Sequence, residues 1–99
     1  MEIIQNYIGG KFVPPAGGQY LDNFNPATGE IYGKIPDSGP EDVEAAVQAA
    51  EAAFPDWSRM PLEQRHDILR AVSDGILANL DRLAEAESRD SGKTITTAR

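Results

Sequence analysis

Cysteine is absent from this 99-residue chain. That excludes a disulfide framework, a thiolate metal site and a cysteine nucleophile among these residues. Histidine occurs once, as His66 in "EQRHDI". A general base or a metal ligand needs partners placed around it, and Asp67, one residue on, does not face it along a helix. His66 therefore reads as a solvated surface residue. Basic residues are scarce, 9 Lys and Arg against 16 Asp and Glu, for a net charge of -7. Phosphate neutralisation needs clustered Lys and Arg, so nucleic acid is not an expected partner. No apolar run approaches the roughly 18 residues of a membrane span, and the start "MEIIQNYIGG" lacks the pattern of a signal peptide. A chain free of membranes and located in the cytoplasm is the expectation. Large apolar side chains are few as well: much of the 40% hydrophobic content is alanine. At about 25 cal/mol per Å² of buried apolar area, that supports only a modest core. The length allows one domain at most.

Near the end, "DSGKTI" (residues 90–95) has the Gly-Lys-Thr of a phosphate-binding loop. That loop places a glycine five residues before the second glycine, so that backbone N–H groups wrap the phosphates. The residue there is Glu87, a carboxylate, and the preceding "LDRLAEAESR" is helical rather than strand-like. A nucleotide loop is not expected. Gly92 instead fits a helix C-cap, with Arg89 and Lys93 near the negative end of the helix dipole. The Asp90-Ser91 pair resembles the attachment serine of acidic carrier proteins, but there the serine begins a helix and here a helix ends. The other serines, 38, 58, 73 and 88, have no histidine near them in sequence to activate them. The carboxylates Glu41, Asp42, Glu44 and Glu51 serve a helix start and a polar face, since a hard cation needs several converging oxygens.

Composition divides the chain near Ser38. Residues 1–37 hold strand-like runs between turn residues; residues 38–99 are helical. Gly9-Gly10 suits a hairpin turn between Tyr7-Ile8 and Phe12-Val13. "YLDNFNP" and "EIYGKIP" form two further strands joined by "NPATGE" (residues 25–30). There Asn25 can bond its own backbone, Pro26 presets φ, and Gly29 can adopt a positive φ. "SGPE" (residues 38–41) fits a capping box between Ser38 and Glu41, with Pro40 in the first turn. Val43, Ala46, Val47, Ala50 and Phe54 then make an apolar helix stripe, which Pro55 is expected to end, leaving Trp57 in a linker. Pro61 opens a second helix with Arg65, Ile68, Leu69, Val72 and Ile76 on one stripe. Asn79 is expected to N-cap a third helix carrying Leu80, Leu83 and Ala84. "TITTAR" begins a fourth helix at Thr94 and stops after about one turn. Short isolated helices are marginal, so this end is expected to be a cut one. The fold class is α+β: short antiparallel strands and hairpins followed by three helices.

In order, "YIGGKFV", "NPATGEIYGKIP", "SGPEDVEAAVQAAEAAFPDWSRMPLEQRHDIL" and "LAEAESRDSGKT" resemble the amino-terminal segment of the aldehyde dehydrogenase superfamily. The resemblance covers essentially the whole chain. It is most similar to the branch that oxidises 2-hydroxymuconic or 2-aminomuconic semialdehyde, and next to betaine aldehyde dehydrogenases. It implies part of a Rossmann-like cofactor-binding domain, from an enzyme that uses NAD or NADP and assembles as a homodimer or homotetramer. In that family a cysteine attacks the aldehyde, a thioester forms, and a glutamate-activated water releases the acid. None of those groups falls among these residues, so no catalytic or cofactor-binding residue is assigned, and the chain alone is expected to be inactive and to bind no cofactor. The resemblance does imply that the backbone carbonyls of Asn23 and Phe24 form half of a monovalent-cation site. The partner would be the rest of the polypeptide. A competing reading is a small acidic α+β interaction module without catalytic role, which would use its exposed helix face.

Overall fold

The computed structural model describes all of residues 1–99. Nine elements follow in order: β1 (Glu2–Ile3), β2 (Asn6–Ile8), β3 (Lys11–Val13), β4 (Tyr20–Phe24), β5 (Ile31–Pro36), α1 (Pro40–Arg59), α2 (Leu62–Ala78), α3 (Leu80–Ser91) and α4 (Ile95–Ala98). They fall into two compact units. One holds residues 1–24 and 31–58; the other holds residues 25–30 and 59–99.

In the first unit, β2 and β3 pair antiparallel with Tyr7 opposite Phe12. Gly9 (φ 61°) and Gly10 (φ 81°) make the turn, since two consecutive positive φ values are what the tight hairpin turn requires. Tyr7 and Phe12 meet edge to face, with ring centroids 5.0 Å apart. The other sheet has the order β1-β5-β4. The β4–β5 pair is antiparallel, as the sequence leads one to expect, but β1 runs parallel to β5, pairing Glu2 with Gly33 and Ile3 with Lys34. The all-antiparallel expectation is corrected there. A two-residue strand is too short to show a period in sequence, and its pairing depends on a backbone approach that only Gly33 allows. A Cβ at Gly33 would lie 2.6 Å from the Glu2 carbonyl oxygen.

Helix α1 departs from expectation at both ends. Ser38 does not cap Glu41; its hydroxyl and the Asn6 side-chain amide hydrogen-bond each other at 2.8 and 3.2 Å. The cap is displaced by one residue. The Gly39 carbonyl accepts from the Asp42 and Val43 N–H groups, while the Gly39 N–H donates to Asp42 Oδ2 at 3.0 Å. This is the reaching-back half of a capping box built on a glycine. At the other end the helix runs through Pro55 to Arg59, so Trp57 is helical and half-buried rather than in a linker. Proline removes one i→i−4 bond, but only one turn follows it, and an established helix of fifteen residues carries that loss.

The second unit contains the 25–30 turn and α2 to α4. Helix α2 follows Pro61 as expected. Asn79 does not cap α3 with its side chain. Its amide donates back to the Gly75 carbonyl at 2.8 Å, closing α2 instead, because the α2–α3 junction has no spacer and one side chain cannot serve both ends. Gly92 ends α3 at φ 79° with its N–H on the Ser88 carbonyl. Thr94 caps α4, accepting from the Thr97 N–H. No helix is long and apolar enough to cross a membrane.

The apolar content is poorly covered. Ala84 is the one hydrophobic side chain that forms a buried core. The stripe residues Val43, Val47, Phe54, Leu69, Val72 and Ile76 are all exposed. The helix periodicity is therefore real, and within each unit these stripes are left uncovered.

Candidate functional site

Four places carry residue types with chemical potential, and the structure gives each a definite setting. At the Gly-Lys-Thr sequence, every group a phosphate would need is engaged locally. Lys93 Nζ lies 3.3 Å from Glu87 Oε1. That carboxylate stands where the first glycine of a phosphate loop would be. The Lys93 N–H donates to Ser91 Oγ at 3.3 Å, and its carbonyl accepts from Ser88 Oγ at 2.5 Å. The residues present do not fit a nucleotide phosphate.

The "NPATGE" turn lies in the same unit. Asn25 Oδ1 accepts from the Ala27 N–H at 2.9 Å, the Asx-turn chemistry its type suggests. The Asn25 carbonyl accepts from the Gly29 N–H at 2.7 Å, and Glu30 closes the loop by accepting from the Asn25 N–H at 2.8 Å. Gly29 takes φ 74°. The turn meets the end of α3: a Cβ at Gly92 would come within 3.3 Å of Pro26 Cγ. Two motifs more than sixty residues apart are thus one packed corner. Gly92 answers two demands there, a left-handed backbone and a close neighbour.

Asn23 and Phe24 close β4 at the one irregularity of the sheet. Asn23 pairs with Gly33, but Phe24 pairs with Ile31, so β5 carries one extra residue, Tyr32. The Asn23 side-chain amide donates to the Tyr32 hydroxyl at 3.0 Å. Bulges of this kind commonly re-aim groups at functional sites. Hard cations collect about six oxygens, so two carbonyls need further donors. No group of three or more His, Asp or Glu side chains is assembled anywhere in the chain. His66 is exposed; its Nδ1 is 3.7 Å from the exposed Asp67 carboxylate, with no nucleophile beside it.

Asp42, expected to serve only the helix start, is the one buried charged residue. Besides the Gly39 N–H, it accepts from the Ala16 N–H at 2.9 Å. It therefore ties the 14–18 loop to the start of α1 with both carboxylate oxygens engaged. An open cavity of about 230 Å³ adjoins it, lined by Asn6, Ile8, Ser38 and Val43 among others. Its one carboxylate, Asp42, is engaged by the Ala16 and Gly39 N–H groups, and Ser38 is hydrogen-bonded to Asn6. The sequence signal for Asp42 lay in the Gly39-Pro40 step three residues upstream, which sets the third helical position. This segment is built of turns, caps and corners.

Comparison with known proteins accounts for that character. Residues 12–99 match the model of the aldehyde dehydrogenase family. The 2-aminomuconic semialdehyde dehydrogenase of Danio rerio is 53% identical over 97 residues, which is 98% of this chain and 20% of that protein. An NAD-dependent aldehyde dehydrogenase from Sinorhizobium meliloti superposes with a TM-score of 0.92 at 37% identity, covering 97% of this chain and 20% of the other. A betaine aldehyde dehydrogenase from Staphylococcus aureus, solved with NAD+, superposes with a TM-score of 0.90 at 33% identity, covering 95% and 19%. The chain spans about one fifth of the length of the relatives it matches. From the match over residues 12–99, the chain belongs to the aldehyde dehydrogenase family.

Proposed function

We propose that this chain is scaffold from the cofactor-binding, Rossmann-like domain of an NAD(P)-dependent enzyme that oxidises an aldehyde of the muconic semialdehyde type to its acid. The family match over residues 12–99 carries the reading, and the 53% identity to a 2-aminomuconic semialdehyde dehydrogenase supports the substrate class. The cysteine that forms the thiohemiacetal and thioester would lie outside these residues. What the chain supplies is shape: the packed corner of Pro26 and Gly92, the sheet that ends at Asn23 and Phe24, and helices whose exposed apolar stripes face the remainder of the enzyme. The carbonyls of Asn23 and Phe24 would contribute to a monovalent-cation site completed by oxygens from that remainder. The whole enzyme would be a cytoplasmic homodimer or homotetramer.

The test is a chimera in which this chain replaces the matching fifth of the Danio rerio relative. NADH formation with a muconic semialdehyde is the expected result. The 99-residue chain alone should produce none, and NAD should give no saturable quenching of Trp57 fluorescence. A folded chimera without activity, or turnover by the chain alone, overturns the reading. The competing interaction-module reading has no observation of its own in its favour, since the exposed stripes suit the scaffold role equally.

A further inference from the structure

Arg65 is the one residue with a buried side-chain polar atom that has no partner. Its Nε is shut off from solvent and makes no hydrogen bond, while the residue as a whole is half-buried. Leaving such a group unpaired carries its full desolvation penalty, and more for a charged group than a neutral one. A guanidinium cannot relieve this by losing its proton. Arg65 sits on α2 in line with Leu69, Val72 and Ile76, at spacings of four, three and four, so all share one face. Those three are 61%, 55% and 51% exposed. The face is thus an apolar stripe with a guanidinium at its N-terminal end, one nitrogen of which is shut off from solvent and unpaired.

We infer that Arg65 is a docking anchor: it pairs with a carboxylate of the remaining aldehyde dehydrogenase polypeptide, on a segment that covers the Leu69–Val72–Ile76 stripe. This rests on the scaffold reading above. Two observations select the occupant. The relatives that share this segment are about five times longer, so the family supplies chain to cover it. A permanently charged, partly desolvated guanidinium calls for an anion, because buried charges persist only when paired. Arg70, on the same helix, is exposed and has no buried atom without a partner, which makes it the natural control.

The experiment uses the chimera described above and follows its rate of native-state cleavage by a protease, which tracks opening of the segment. Removing one member of a buried ion pair predicts at least about a thirtyfold faster cleavage for Arg65→Met. Arg65→Gln, a neutral donor, should be as fast as Arg65→Met. Arg65→Lys, which keeps the charge, should recover about tenfold of the loss, and Arg70→Met should stay within about threefold of the unsubstituted chimera. Arg65→Met within about threefold overturns the anchor. Arg65→Gln equal to Arg65→Lys overturns the carboxylate. Protection of Arg65 by dimerisation of the 99-residue chain alone would assign the face to a second copy and also overturn it. The two readings fail separately. An inactive chimera with the expected ordering sinks only the catalytic assignment, and an active one with a flat ordering sinks only the anchor.

Discussion

Replacing Asp42 with alanine tests whether one carboxylate holds the 14–18 loop to the start of α1. The side chain accepts two backbone N–H bonds, from Ala16 at 2.9 Å and from Gly39 at 3.0 Å, and is only 8% exposed. Hydrogen bonds to a charged group contribute about 1.5–3 kcal/mol each. Asp42→Ala leaves both donors without their acceptor, although water can reach the exposed neighbourhood and soften the loss. A net cost of about 2–4 kcal/mol follows. The chain carries a charge of -7, so removing one acid also relieves some self-repulsion. That gain is a few tenths of a kcal/mol on the scale of surface charge effects, and the hydrogen-bond loss prevails. Asp42→Asn keeps one acceptor oxygen and should lose about half as much. Amide hydrogen exchange is the assay. The Ala16 and Gly39 amides should exchange at least about thirtyfold faster in Asp42→Ala. The Gly18 amide, which donates to the Pro15 carbonyl at 2.9 Å, should change much less. Unchanged exchange at Ala16, or an equal change at all three amides, would refute the reasoning.

Gly33→Ala should detach β1 from β5, because its Cβ would stand 2.6 Å from the Glu2 carbonyl oxygen and backbone cannot yield as a flexible side chain would. Faster exchange of the Ile4 amide, which donates to the Lys34 carbonyl, with α1 amides unchanged, is the expected outcome. Gly92→Ala should cost about 1–2 kcal/mol for a left-handed residue with a Cβ, plus the contact with Pro26. In a Pro26→Ala background the cost measured by denaturant unfolding should shrink, and a cost identical in both backgrounds would remove Pro26 from the account. Truncating Tyr7 and Phe12 singly and together should give a coupling of about 0.5–1.5 kcal/mol for their edge-to-face contact; additive losses would contradict it.

Much of the local structure was legible because it depends on neighbours in sequence. The Gly9-Gly10 turn, the Asn25 Asx turn, the Gly92 cap and the Thr94 cap each rest on a side chain, or its lack, acting within a few residues. The misplaced features share the opposite trait. Ser38 was diverted to Asn6, thirty-two residues away. Pro55 failed to stop α1, a matter of how much helix already stood behind it. Asn79 served α2 rather than α3, since two helix ends competed for it.

The same division applies to function. Residue order alone established the α+β class, the lack of any thiol chemistry and the likeness to one enzyme family, because composition and motif order survive without coordinates. Only the tertiary structure could reveal that β1 lies parallel to β5 across Gly33, that Pro26 leans on Gly92, and that Asp42 clasps a loop 26 residues upstream. It alone exposed the buried, unpaired Nε of Arg65. Each of these is a distance between atoms remote along the chain, set by which surfaces close on one another, and no local pattern of residues carries that information.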